Sequence, residues 1–219
     1  MKAQRTISAE IRIPAGGIVL DGELIVPNSV TEIVIFAHGS GSSRFSPRNR
    51  FVAETIRACG LGTLLFDLLT ADEEAAEMYT RHLRFDIELL TGRLIEAANF
   101  LEASNAAGKK LGFFGSSTGG AAAITAAAEL GDRVSAVVSR GGRPDLAGTA
   151  LTLVTAPTLL IVGERDEAVV DLNAAAFEML RCEKRMEVIP GATHLFEEPG
   201  ALEQVAEIAS AWFAEHLEP

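Results

Sequence analysis

Short apolar runs alternate with longer amphipathic stretches along most of this chain. Ile7 to Ile13 and Ile18 to Val26 read as two strands joined at Gly16-Gly17, which predicts an antiparallel hairpin at the start of a sheet. Pro27-Asn28-Ser29 supplies turn chemistry. Ile33 to Ala37 is apolar at every position, as expected for a parallel strand covered on both faces. A polar loop containing Gly39 and Gly41 leads into a predicted helix from Pro47, where proline suits the first turn, to about Gly60. Thr63 to Phe66 forms the next buried strand and stops at Asp67. A long helix is expected over 84–104, with Leu90, Leu94, Ala97 and Leu101 on one stripe. Leu111 to Phe114, Val134 to Ser139, Thr158 to Val162 and Met186 to Ile189 supply further strands. Helices near Ala121 to Leu130, Val170 to Leu180 and Ala201 to His216 follow or separate them. Strands alternating with helices predict an α/β architecture, a parallel sheet with helices on both faces. Neither a repeat nor a linker interrupts the pattern, so residues 1–219 are expected to form one domain.

One segment breaks the rhythm. Thr70 to His82 carries Asp72, Glu73, Glu74 and Glu77 where a short strand-to-helix connection would suffice. An excursion of that length is either a flap over a site or a solvated surface loop, and its acidity favours the loop.

Composition narrows the function classes. The formal net charge of −11 opposes binding to nucleic acid or anionic membranes. No run approaches the length of a membrane span, and the opening segment lacks the apolar stretch of a signal sequence. Cys59 and Cys182 do not amount to a disulfide framework, and both are expected as small buried hydrophobes. A cytoplasmic setting is the resulting expectation.

The chemistry begins at Gly115-Ser116-Ser117-Thr118-Gly119, which follows a strand and opens an alanine-rich helix. This G-x-S-x-G pattern puts a serine on a strained strand-to-helix turn, with glycines leaving room for the bend. The competing reading is a glycine-rich helix start selected for tight packing. A nucleophilic serine needs a base, and His194 stands in a loop just after the last strand, at the sheet edge where Ser117 emerges. His82 and His216 are poorer candidates, and His38 is read as structural, with its ring bonded to neighbouring backbone. Asp166 follows the strand ending at Val162 and suits the carboxylate that orients the imidazole. Its alternative is a helix N-cap, with Glu164 and Asp67 as weaker rivals. The order Ser117, Asp166, His194 is the order used by hydrolases with a nucleophile elbow. The oxyanion donors are assigned to the amides of Thr118 and Ser40, with Gly41 as a substitute for Ser40. The histidines and cysteines lack metal-ligand spacing, and neither a metal nor a cofactor is expected.

The motifs HGSGSS, GSSTGG, GERD and GATHLFEEPG resemble those of the α/β-hydrolase superfamily, within it the small lidless enzymes related to dienelactone hydrolase. The resemblance implies an α/β-hydrolase fold with a mostly parallel sheet of about eight strands, no cap domain, and the triad in the loops named above. Dienelactone hydrolase itself looks to a cysteine nucleophile, whereas this chain offers Ser117. The serine favours carboxylesterase-like cleavage of a small ester over dienelactone chemistry. A thioesterase or carbon–carbon hydrolase would use the same groups, and a binding protein on this fold is the alternative from another class. Arg140 and Arg143 are candidates to bind a substrate carboxylate or phosphate, with Arg44, Arg48 and Arg50 nearby. Pairing with Asp145, Asp67 or other local acids is the commoner use of such arginines.

Overall fold

The structure, a computed structural model, describes residues 6–27, 30–104 and 110–217. The expected turn at Asn28-Ser29 lies outside these residues. Eight strands, β1 (Thr6–Ala15), β2 (Ile18–Pro27), β3 (Ile33–Ala37), β4 (Gly62–Phe66), β5 (Leu111–Ser116), β6 (Val134–Arg140), β7 (Thr158–Gly163) and β8 (Lys184–Ile189), form one sheet in the order β1-β2-β4-β3-β5-β6-β7-β8. The hairpin β1–β2 is antiparallel and β2 pairs antiparallel with β4; every other pairing is parallel. This is the α/β sheet that the alternation of strands and helices predicts, in the α/β-hydrolase form that the family resemblance implies.

Apolar side chains on the two faces of the central strands fill two separate cores. Ile33, Ile35 and Phe113 point toward α3 (Ile87–Ala103) and α4 (Thr118–Leu130). Val34, Phe36 and Phe114 point the other way, toward α1 (Pro47–Ala58) and α7 (Ala201–Leu217). A strand wedged between two such layers must be apolar at every position, which is why β3, β4, β5 and β7 are buried throughout. Gly112 serves the second core directly: a Cβ there would meet the Phe213 ring at 2.7 Å.

The excursion at 70–82 is not a loop. It contains α2 (Ala71–Thr80), followed by a single 3-10 turn at Leu83–Phe85, and α3 begins only at Ile87. Thr70 and Glu73 close a reciprocal capping box, and three acidic residues occupy the first turn, where the helix dipole favours them. The acidic run that suggests solvation is therefore a helix-start signal. The connection between β6 and β7 also holds a 3-10 turn at Pro144–Ala147 and the short α5 (Ala150–Leu153), elements with no strong periodicity in sequence. A further helix, α6 (Glu167–Met179), packs beside β7.

Strand order reverses around β3: β4 lies on one side of it and β5 on the other. Open α/β sheets bind ligands outside the carboxyl ends of strands at such a reversal. Ala37 and Ser116 end the two strands there, and the loops that follow them meet.

Candidate active site

Ser117 sits between β5 and α4 with φ 52° and ψ −122°, a conformation that costs an L-residue energy. Its neighbours explain how the bend is tolerated. A Cβ at Gly115 would lie 2.2 Å from the Gly119 carbonyl oxygen, and one at Gly119 would lie 2.2 Å from that of Ala37. Both approaches are open only to glycine. The bend is held from β6 as well: Ser117 N–H donates to the Arg140 carbonyl at 3.3 Å, and Arg143 N–H donates to the Ser117 carbonyl at 3.0 Å.

Asp166 and His194 meet as the sequence suggests, with His194 Nδ1 2.6 Å from Asp166 Oδ2. Asp166 occupies the position before α6 where a capping side chain would sit, yet it makes no cap hydrogen bond. Its carboxylate is turned to the imidazole instead. The two loops interlock through backbone, since Arg165 N–H donates to the Ala192 carbonyl at 2.9 Å, and a Cβ on Gly163 would lie 2.5 Å from that oxygen. Glu164 accepts from Gly191 N–H at 2.6 Å, and Glu198 accepts from both the amide and the hydroxyl of Thr193. The rival Glu164 is thus a strut of the histidine loop, and Asp67 is bound to the amide and guanidinium of Arg44. The imidazole passes over Gly141, where a Cβ would stand 3.6 Å from His194 Cε1. Ser117 and His194 line one cleft of about 200 Å³, although among the described residues no hydrogen bond yet joins them. Such bonds are commonly long before substrate enters.

The loop over 38–42, from which the sequence leads one to expect an oxyanion donor, lines the same cleft. A Cβ on Gly39 would come within 3.0 Å of Ser117 Cβ, so the loop and the bend are in contact. Thr118 opens α4, where a first-turn amide has no partner inside the helix. His38 is structural, as read from sequence: Leu68 N–H donates to Nε2 at 3.0 Å, and Nδ1 donates to the Gly39 carbonyl at 3.0 Å. Burial lowers its pKa and keeps the ring neutral, which suits a nitrogen that must accept.

The arginines divide. Arg143 makes a two-pronged pair with Asp145, at 2.9 and 2.8 Å, and that bond raises its pKa. Arg140 is 6 % exposed and has no carboxylate among the described residues. Its Nη2 donates to Asn49 Oδ1 at 3.4 Å, its Nε has no acceptor among the described residues, and its guanidinium lies over the Phe196 ring. Burial, with Arg48 nearby, lowers its pKa to about 10. Arg140 and Arg48 both line the cleft that holds Ser117 and His194. In the sequence Arg140 and Arg143 are equal candidates and Arg48 is only a neighbour; folding separates the first two and brings Arg48 beside Arg140.

The two cysteines are free, Cys59 exposed rather than buried and Cys182 half-buried. Among the described residues no helix is long and apolar enough to cross a membrane.

Residues 30–217 match the family model described as the dienelactone hydrolase family. The chain belongs to that family. It is 54 % identical to the dienelactone hydrolase from Anabaena variabilis, whose crystal structure superposes with a TM-score of 0.95 over 97 % of this chain and 99 % of that one. Est1E from Butyrivibrio proteoclasticus, at 19 % identity, shares the fold with a TM-score of 0.79 over 95 % of this chain and 99 % of its own. A Mycobacterium tuberculosis protein provisionally named a phosphoribosyl transferase is 53 % identical over 95 % of this family member. The match spans only 46 % of that relative, so its name describes a protein about twice as long.

Proposed function

We propose that this family member is a serine hydrolase that cleaves a small carboxylic ester through an acyl-Ser117 intermediate. The observation that carries the reading is the strained Ser117 bend opening into one cleft with an imidazole whose Nδ1 is held by Asp166 at 2.6 Å. Ser117 Oγ attacks the ester carbonyl while His194 Nε2 takes its proton. Asp166 holds the ring in the Nδ1–H tautomer and stabilises the imidazolium. The amides of Ser40 and Thr118 receive the negative oxygen, each donor contributing ~3–4 kcal/mol in comparable enzymes. The carbon–oxygen bond of the leaving alkoxide breaks as His194 returns the proton to it. Water, deprotonated by the same ring, then attacks the acyl group and releases the acid and free Ser117. None of these steps calls for a metal or cofactor, and the two free cysteines suit a reducing compartment such as the cytoplasm.

The preferred ester carries a negative charge, and Arg140 is its anchor. Arg48 is balanced by Glu197 at 3.0 Å, whereas Arg140 has no such partner among the described residues. An unpaired buried charge costs several kcal/mol, and a substrate carboxylate would remove that cost on binding. One surplus positive charge matches one carboxylate. Arg143, engaged by Asp145, has no part in this recognition.

A fluorophosphonate probe and p-nitrophenyl esters test the chemistry. Labelling is expected in the native enzyme and lost in Ser117→Ala, with kcat down by ~10⁴-fold or more. A native protein that takes no label, or an alanine variant that still does, would sink the serine mechanism.

A further inference from the structure

Beyond the reacting groups, a directional chain of hydrogen bonds runs from the two proposed oxyanion residues into α2. Ser40 Oγ lies 3.3 Å from the Arg84 carbonyl and 3.1 Å from Thr118 Oγ1. A carbonyl only accepts, so the single Ser40 proton goes to Arg84, and Thr118 must donate its own proton to Ser40. The backbones that would furnish the two amides are thus tied to each other by their side chains, and the tie ends on residue 84. Arg84 is in turn fastened to Glu77, whose side chain is 1 % exposed. Arg84 Nε donates to Glu77 Oε1 at 2.5 Å, Leu83 N–H donates to Oε2 at 2.8 Å, and Arg84 Nη2 reaches the Glu77 carbonyl at 3.4 Å. Burial pushes the Glu77 carboxyl up, but these donors outweigh it and hold its pKa below the usual value. The same guanidinium covers the oxyanion loop, with Nη1 3.5 Å from where a Gly41 Cβ would stand.

We propose that α2 and the turn after it are the brace of the oxyanion hole, with Glu77, Arg84 and the hydroxyls of Ser40 and Thr118 as positioning residues. The brace rests on the serine-hydrolase reading, because it matters only if the amides of Ser40 and Thr118 hold an oxyanion. His38 secures the loop to the end of β4, and Ser40 secures it to residue 84. Without the second attachment the Ser40 amide is free to swing, and a donor misplaced by a fraction of an ångström loses more of its bond to the transition-state oxyanion than of its bond to the ground-state ester.

Ser40→Ala, Glu77→Gln and their double variant, made in the full chain, provide the test. Each is assayed on p-nitrophenyl acetate for kcat and KM, and on phenylboronic acid, a mimic of the tetrahedral state, for its inhibition constant. Each single variant is expected to lower kcat about tenfold with KM within about twofold, and to weaken the boronate by a similar factor. The double variant is expected to be no worse than either single one, since both cut the same chain. Ser40→Ala leaves the Glu77–Arg84 pair intact, so it reports even if Glu77→Gln fails to fold. Unchanged kcat in Ser40→Ala, a rise confined to KM, or a hundredfold additive loss in the double variant would each overturn the brace. Those outcomes presuppose a labelled, active Ser117, so they are distinct from failure of the hydrolase reading itself.

Discussion

On the side of the 38–42 loop that faces α2 and α3, arginines meet carboxylates: Arg84 holds Glu77, Arg93 holds Glu73, and Arg44 holds Asp67. On the side that faces α1 and β6, Arg140 is buried deeper than any of these and, among the described residues, its guanidinium meets an amide oxygen and an aromatic face but no carboxylate. The first arrangement is what a chain does with charge when the purpose is to fix a helix in place. The second leaves a buried charge uncompensated in the folded state, and the proposed anionic ester would remove that cost. Whether a guanidinium is already satisfied thus distinguishes the two sides, and on the proposed reading it separates scaffold from recognition.

Removing Arg140 should give the largest effect and the plainest contrast. Arg140→Met is expected to cut the preference for a half-ester of a short dicarboxylic acid over its methyl-capped analogue by about a hundredfold in kcat/KM. It should also raise the melting temperature, because an apolar side chain replaces an uncompensated buried charge. An unchanged preference together with a lower melting temperature would erase the distinction between the two sides. Arg93→Ala, on the paired side, should do the reverse: lose about 1–2 kcal/mol of stability, read by urea denaturation, with kcat/KM within about twofold. Acid should reach the paired side through His38. Its folded pKa lies below the ordinary value of 6.5, so the stability it contributes is complete above about pH 6.5 and is lost as pH falls from there. The urea midpoint should therefore drop between about pH 7.5 and about pH 5.5, and the part of that drop owed to His38 should vanish in His38→Asn. Arg143→Ala should matter least, changing kcat/KM for the anionic ester less than about twofold, since its pair with Asp145 is partly exposed.

Much of the fold is legible in the sequence. Strands buried on both faces must be continuous apolar runs, so β3, β4, β5 and β7 could be read directly. The G-x-S-x-G turn and the strand-end positions of Asp166 and His194 brought three distant residues to one rim, and Asp166 does turn to the imidazole rather than cap its helix. The acidity of α2 points to solvent and masks its helix start, although Thr70 and Glu73 stand at the spacing of a capping box. Arg143 has its partner two residues away, within reach of sequence reasoning. The isolation of Arg140 is a property of everything folded around it, and the link among Ser40, Arg84 and Thr118 joins three separate segments; no local pattern encodes either.

The depth of Arg140 also bears on how an anionic molecule would arrive. The chain as a whole carries a net charge of −11, so an approaching anion is repelled until it is close enough to feel the buried guanidinium of Arg140. Added salt shortens the reach of that outer repulsion to roughly 10 Å at 0.1 M while leaving the dry contact nearly untouched. Encounter with an anionic ester should therefore quicken as ionic strength first rises, and a neutral ester should be indifferent.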